Sequence, residues 1–152
     1  MLSRRRNLLK VLAGVALSGA IASWLRSAFA AEWNKPAFDA RAMSESLKEI
    51  GVDSLIESSE IALNAPEIAE NGAVVPVEII SSIAATETIY IFAEKNSQPL
   101  VASFSFASGL EPFIETRIKM AETAILRVVV KAAGKFYTAA KEVKVTIGGC
   151  GG

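Results

Sequence analysis

A chain of 152 residues with no histidine and a single cysteine is closed to most chemistry that side chains supply unaided. It cannot build a Ser-His-Asp or Cys-His pair, it lacks the commonest metal ligand, and one cysteine makes no internal disulfide, metal knuckle or Cys-x-x-Cys redox pair. Its 16 basic and 16 acidic residues balance, and 51% of it is hydrophobic, enough to fill the core of one domain.

The chain opens with Ser3-Arg4-Arg5-Arg6-Asn7-Leu8-Leu9-Lys10, then an apolar run from Val11 to Leu25, then Ala28-Phe29-Ala30. A basic start, an apolar stretch short for a membrane span and an Ala-x-Ala site predict a signal peptide over residues 1–30, cleaved between Ala30 and Ala31. With Arg5-Arg6 as the arginine pair and Leu8, Leu9 and Lys10 behind it, the start is similar to a twin-arginine signal, which exports folded proteins. An ordinary secretory signal and an uncleaved anchor are the alternatives. Removing residues 1–30 leaves 11 basic against 16 acidic residues, a net charge of −5, which argues against nucleic acid as a partner. No stable membrane association is expected of the mature chain. Residues 31–94 hold 3 basic and 12 acidic residues, and residues 95–152 hold 8 and 4. This asymmetry reads either as solvated faces or as a basic half that attracts anionic ligands.

From Pro36 to Ile50 the spacing of Ala40, Met43, Leu47 and Ile50 predicts one helix that Gly51 ends. Beyond a linker over residues 52–58 the period becomes two. Ile61 and Leu63 mark a first strand, and Asn71-Gly72 a turn before the strand Val74 to Ile80. Pro76 cannot donate a ladder hydrogen bond, so that strand is expected at an edge or to carry a bulge. Thr88 to Ala93 is apolar on both faces and reads as buried. Ala102, Phe104 and Phe106 alternate with serines; Ile114, Thr116, Ile118 and Met120 point inward against Glu115, Arg117 and Lys119. Leu126, Val128 and Val130, then Val143, Val145 and Ile147, repeat the alternation. About seven short strands without helical crossovers predict a mainly β domain over residues 31–147, an antiparallel sandwich of immunoglobulin-like type, with a small barrel as the alternative.

The last strand runs into Gly148-Gly149-Cys150-Gly151-Gly152. Glycine has no side chain to shelter a neighbouring sulfur and adopts almost any φ/ψ, so residues 148–152 are expected to form a mobile arm. Five residues reach at most roughly 16–18 Å, enough to carry a thiol into a narrow pocket of another protein. An unperturbed thiol, with a pKa of about 8.5, is only a few per cent thiolate at neutral pH, so activation must come from a partner. Carboxylate pairs such as Glu57 with Glu60 and Glu67 with Glu70 are expected in exposed turns. No catalytic residue, metal site or bound cofactor is expected.

The terminus Lys144 to Gly152, the segment Ile68-Ala69-Glu70-Asn71-Gly72-Ala73-Val74-Val75-Pro76-Val77 and the arginine-rich start together resemble the SoxY family, sulfur carriers of the periplasmic Sox system. The resemblance implies an immunoglobulin-like sandwich, a SoxZ-like subunit as heterodimer partner, and Cys150 as the site of covalent sulfur attachment on a periplasmic, non-enzymatic carrier. It implies transient docking to a SoxAX-like c-type haem enzyme that attaches thiosulfate, a SoxB-like hydrolase that releases sulfate, and a SoxCD-like dehydrogenase that oxidises the remaining persulfide. Two other readings stand beside it: a structural subunit disulfide-linked through Cys150, and a thiocarboxylate-type carrier using the carboxylate of Gly152.

Overall fold

The computed structural model describes residues 33–146. The chain divides into Met1–Trp33 and Asn34–Gly152, and the elements below belong to the second unit. In chain order they are α1 (Lys35–Asp39), α2 (Met43–Glu49), β1 (Ile56–Glu57), β2 (Ile61–Asn64), β3 (Ile68–Ala69), β4 (Val75–Ser81), β5 (Thr86–Ala93), β6 (Leu100–Ser105), β7 (Phe113–Ile118), β8 (Ala124–Ala132) and β9 (Lys135–Val145). The strands form two sheets. A six-stranded sheet has the order β1-β9-β8-β5-β6, with β3 also on β9, and a three-stranded sheet has the order β2-β4-β7.

The period-two pattern explains how the sheets meet. Val75, Val77 and Ile79 of β4, with Ile114 and Ile118 of β7, share one buried cluster with Ile89 and Ile91 of β5, Leu126, Val128 and Val130 of β8, and Val143 of β9. Each of these is one member of an alternating pair whose other member faces the opposite side of its sheet. The opposite face of the larger sheet is covered as well. Phe92, Leu100, Val129 and Phe136 form a second cluster with Ala37, against which Phe38, Met43, Leu47 and Ile50 of the helical segment pack. A strand such as β5, enclosed between core and helices, therefore reads as apolar on both sides.

The helical segment differs from the single helix expected over Pro36 to Ile50. It breaks at Ala40, whose ψ of 139° leaves the helical region, and two short helices fold back on each other. The buried Ser46 hydroxyl donates to the Ala37 carbonyl at 2.7 Å, and the Asn34 amide donates to the Glu49 carbonyl at 2.9 Å. These side chains take carbonyls that each helix leaves free at its end. Met43, Leu47 and Ile50 reach the sheet as their spacing implies, and Ala40 marks the break. Gly51 ends α2 as expected. With φ at +80° its N–H bonds the Lys48 carbonyl, and that of Val52 bonds the Leu47 carbonyl, a Schellman cap.

Three further differences concern the sheets. Pro76 lies on a central strand, because β4 pairs with both β2 and β7; yet β2 ends at Asn64, opposite Glu78, so beside Pro76 only β7 is paired. The proline is tolerated where a central strand has a locally open side. Second, the sandwich is not wholly antiparallel: β1, in the stretch expected as a linker, and β3 both run parallel to β9. Third, the last strand begins at Lys135, which brings Phe136 and Tyr137 into a hairpin with β8. The turn is Ala133-Gly134, both at positive φ (47° and 72°), the backbone of a type I′ turn without its usual asparagine.

Candidate functional site at the root of the carboxy-terminal segment

β9 leads in sequence to the glycine run that bears the cysteine, so its fixation decides where that segment begins. It pairs with β8 from Lys135 to Val143. On its other side β1 lies against Tyr137 and Thr138, and β3 against Lys144 and Val145. Val143 is fully buried and Val145 packs on the same cluster.

The last three described residues are held one by one. The Lys144 N–H donates to the Glu67 carbonyl at 2.9 Å, and the Thr146 N–H donates to the Ala69 carbonyl at 3.1 Å. Between them the Val145 N–H turns the other way and donates to Oγ1 of Thr123 at 2.9 Å. Thr146 adds its own hydroxyl, which donates to the Glu70 carbonyl at 3.1 Å. This alternation is that of a strand gripped from both sides up to its last residue.

The connections beside this root are tied to each other. Asn71 Oδ1 accepts the Ala73 N–H at 2.9 Å, closing the expected Asn71-Gly72 turn, whose Gly72 carbonyl accepts the N–H of buried Met120 at 2.7 Å. Asn96 joins the β5–β6 and β7–β8 connections, donating to the Lys119 carbonyl and accepting from the Ala121 N–H at 2.8 and 2.9 Å. The side chains exposed here are Lys95, Lys119 and Lys144 together with Glu67, Glu70 and Glu122. Both signs are mixed, so the charge asymmetry read along the sequence does not gather into one basic patch.

Cys150, with Gly148, Gly149, Gly151 and Gly152, lies outside the described residues, as do Ala30, Ala31 and the whole signal-like segment. The carboxylate pairs do not assemble a site: Glu57, Glu60, Glu67 and Glu70 are all exposed. Glu67 and Glu70 contribute main-chain carbonyls instead. Nothing in the sequence marked those carbonyls or Thr123, because a backbone acceptor carries no residue-type signature. Among the described residues no group of three or more His, Cys, Asp or Glu is placed to hold a metal ion, and no helix is long and apolar enough to cross a membrane. An open depression of about 510 Å³ lies along Asn64, Pro66, Pro76, Glu78, Glu115 and Arg117, with no nucleophile and base brought together.

The family model of the sulfur oxidation protein SoxY matches residues 48–150, ending on the cysteine. The chain belongs to the SoxY family. Among solved structures it is similar to the sulfur carrier protein SoxY from Chlorobium limicola f thiosulfatophilum, at 46% identity and a TM-score of 0.61, over 66% of this chain and 92% of that one. A superoxide reductase (neelaredoxin) from Ignicoccus hospitalis aligns at 18% identity and a TM-score of 0.46, over 56% and 79% of the two chains, too distant to carry an argument. No curated protein matches. Membership in the SoxY family places this chain with the sulfur carriers of sulfur oxidation, and the mainly β, two-sheet architecture agrees with it.

Proposed function

We propose that this chain carries thiosulfate-derived sulfur on Cys150, at the tip of a glycine arm that swings from the clamped end of β9, and presents it to Sox enzymes in the periplasm. The observation that carries the reading is the family match running to residue 150, on a chain whose last described residues are fixed by four hydrogen bonds. A fixed root and a glycine tether place the sulfur within a short radius of one point while leaving it free to enter a partner's channel. The domains follow: a signal over residues 1–30, an immunoglobulin-like body over 31–147 and the arm over 148–152.

The chemistry divides between carrier and enzymes. In the attachment step the Cys150 thiol would lose its proton and a sulfur–sulfur bond would form to thiosulfate, the two electrons released being taken one at a time by the c-type haem chemistry of the SoxAX-like enzyme. Water then cleaves the bond to the outer sulfone sulfur in the SoxB-like hydrolase, sulfate leaves, and a persulfide stays on Cys150. Its oxidation by the SoxCD-like dehydrogenase and a second hydrolysis return the thiol. The carrier holds no cofactor, and its body is held by a SoxZ-like subunit. A partner lacking a signal of its own would explain a twin-arginine signal on a chain without cofactor motifs, because the assembled pair would be exported folded.

Intact-mass measurement of the chain from the periplasm of thiosulfate-grown cells, before and after reductant and with fragmentation, tests this. The expected result is a reductant-labile thiosulfonate or polysulfide series on Cys150 and Ala31 at the amino terminus. A bare or merely dimer-linked Cys150 during thiosulfate turnover would overturn the carrier role and leave a structural disulfide as the better reading.

A further inference from the structure

Residues 96–110 carry no charge, in a chain of which 21% is charged; at that frequency such a run would hold about three charges. Within it lies β6, the terminal strand of the larger sheet, whose second edge pairs with nothing among the described residues. Its backbone direction follows from one hydrogen bond. The Phe106 N–H donates to the Glu87 carbonyl at 2.9 Å, in step with the register Ser105↔Thr88, Phe104↔Ile89, Ser103↔Tyr90 and Ala102↔Ile91. Antiparallel alternation then turns the main-chain groups of Phe104 and Ala102 toward β5 and those of Ser103 and Ser105 toward the open side.

Other sheet borders among the described residues are protected in recognised ways. β2 is only 4 residues long, β7 carries Glu115 and Arg117, and the outer side of β9 is occupied by β1 and β3. An exposed edge is ordinarily short, charged, interrupted by proline or covered, since its free N–H and C=O groups recruit other strands. Over its 6 residues β6 carries no charge and no proline; its one irregularity is the register shift to β5 at Val101, and beyond it Ala102 to Ser105 form a regular, open edge.

We infer that the open edge of β6 accepts a strand from the partner subunit, extending the six-stranded sheet across the interface. This rests on the reading above in one respect, that the chain works as a lasting heterodimer. Two observations choose the occupant. β6 lies at the border opposite β9, with β5 and β8 between them, roughly 14 Å at the usual strand spacing. A lasting partner there leaves the carboxy terminus clear. The body from residue 33 to residue 146 also holds 11 basic against 15 acidic residues, so a second copy would oppose like net charges, whereas a neutral or basic subunit with an uncharged edge strand of its own would not.

The test is the full chain co-expressed with the SoxZ-type subunit, comparing Ser103→Pro with Ser103→Ala. The Ser103 N–H points away from β5, so proline removes no hydrogen bond of the fold while deleting an outward donor and filling the edge with its ring. S103A is expected to pair at wild-type affinity, and S103P to weaken pairing at least thirtyfold with unchanged alkylation of Cys150. As a check that does not depend on any variant, hydrogen exchange of the wild-type pair should show the Ser103 and Ser105 amides slowed at least tenfold by the partner, with those of Ala102 and Phe104 little changed. Wild-type affinity of a folded S103P, no slowing at Ser103 and Ser105, or a reduced wild-type chain that dimerises with itself in preference to the partner would each overturn the assignment. Pairing lost in S103P together with no sulfur on Cys150 would support the edge and sink the carrier role, which separates the two.

Discussion

Replacing Ala133 by asparagine should stabilise this protein without touching a single packed atom. Ala133 sits at φ 47° in the two-residue turn between β8 and β9 and is exposed. An alanine held in the left-handed region costs about 1–2 kcal/mol relative to its preferred conformations, and asparagine, whose short amide tolerates that region, recovers part of it. With no buried surface changed, the expected gain is about 0.5–1 kcal/mol. For a body of this size that corresponds to a rise of about 2–5 °C in the thermal midpoint, readable by circular dichroism of the reduced protein. Ala133→Val is the opposing control. A β-branched side chain at positive φ is strained, so its midpoint should fall by more than the asparagine variant gains. An asparagine variant with an unchanged or lower midpoint, or a valine variant as stable as the parent, would refute the assignment of a strained turn at this hairpin.

Ser46→Ala should cost about 1–3 kcal/mol, because the buried Ala37 carbonyl loses its donor at 2.7 Å; urea unfolding measures it, and trypsin should then cut between the two helices before the sheets open. Thr146→Val should leave the global midpoint within about 1–2 °C, since only one exposed hydrogen bond is lost, yet speed amide exchange of residues 144–146 severalfold; unchanged exchange there would mean that the hydroxyl does not help to hold the root. Replacing Arg5 and Arg6 by lysines should strand both this chain and its SoxZ-like partner in the cytoplasm, as fractionation would show, and a partner still exported alone would contradict joint export.

What could be read from the sequence was whatever side chains encode by repetition. The inward sets Ile114 and Ile118, Leu126 to Val130, and Val143 with Val145 stand out because a half-buried strand must alternate, and the structure buries or half-buries them where the pattern placed them. Gly51 was legible for a similar reason: few residues other than glycine sit easily at φ +80°. The failures share a cause too. β1 and β3 are two residues long, too short for any period, and they exist through main-chain pairing with a distant strand. The hairpin at Ala133 hid because alanine is not a turn residue. The helix break at Ala40 goes with a hydroxyl on the second helix, that of Ser46, which bonds the Ala37 carbonyl nine positions back in the first, a tertiary bond that local spacing does not carry. At the candidate site the division was sharper: the cysteine and its glycines, which lie outside the described residues, stand out by composition as candidates, while the carbonyls that hold the end of β9 gave no sign.

That division has a functional consequence for the carrier role proposed here. A tether is useful only if its origin is fixed, because the concentration of thiol that a docked enzyme meets is set by the volume the tether sweeps. From Thr146 to Cys150 is four residues, at most roughly 14 Å, and such a short link presents its end at an effective concentration on the order of millimolar or above. If β3 released the end of β9, the tether would lengthen back toward Val143, adding three residues; the swept volume, which grows with the cube of the reach, would rise roughly fivefold. Two residues of parallel strand and four hydrogen bonds add little to the stability of a domain whose core lies elsewhere. On the proposed carrier role their value is in the encounter, where they would confine the sulfur, and it follows that substitutions around Glu67 to Glu70 should reduce turnover by Sox enzymes well before they lower the melting temperature.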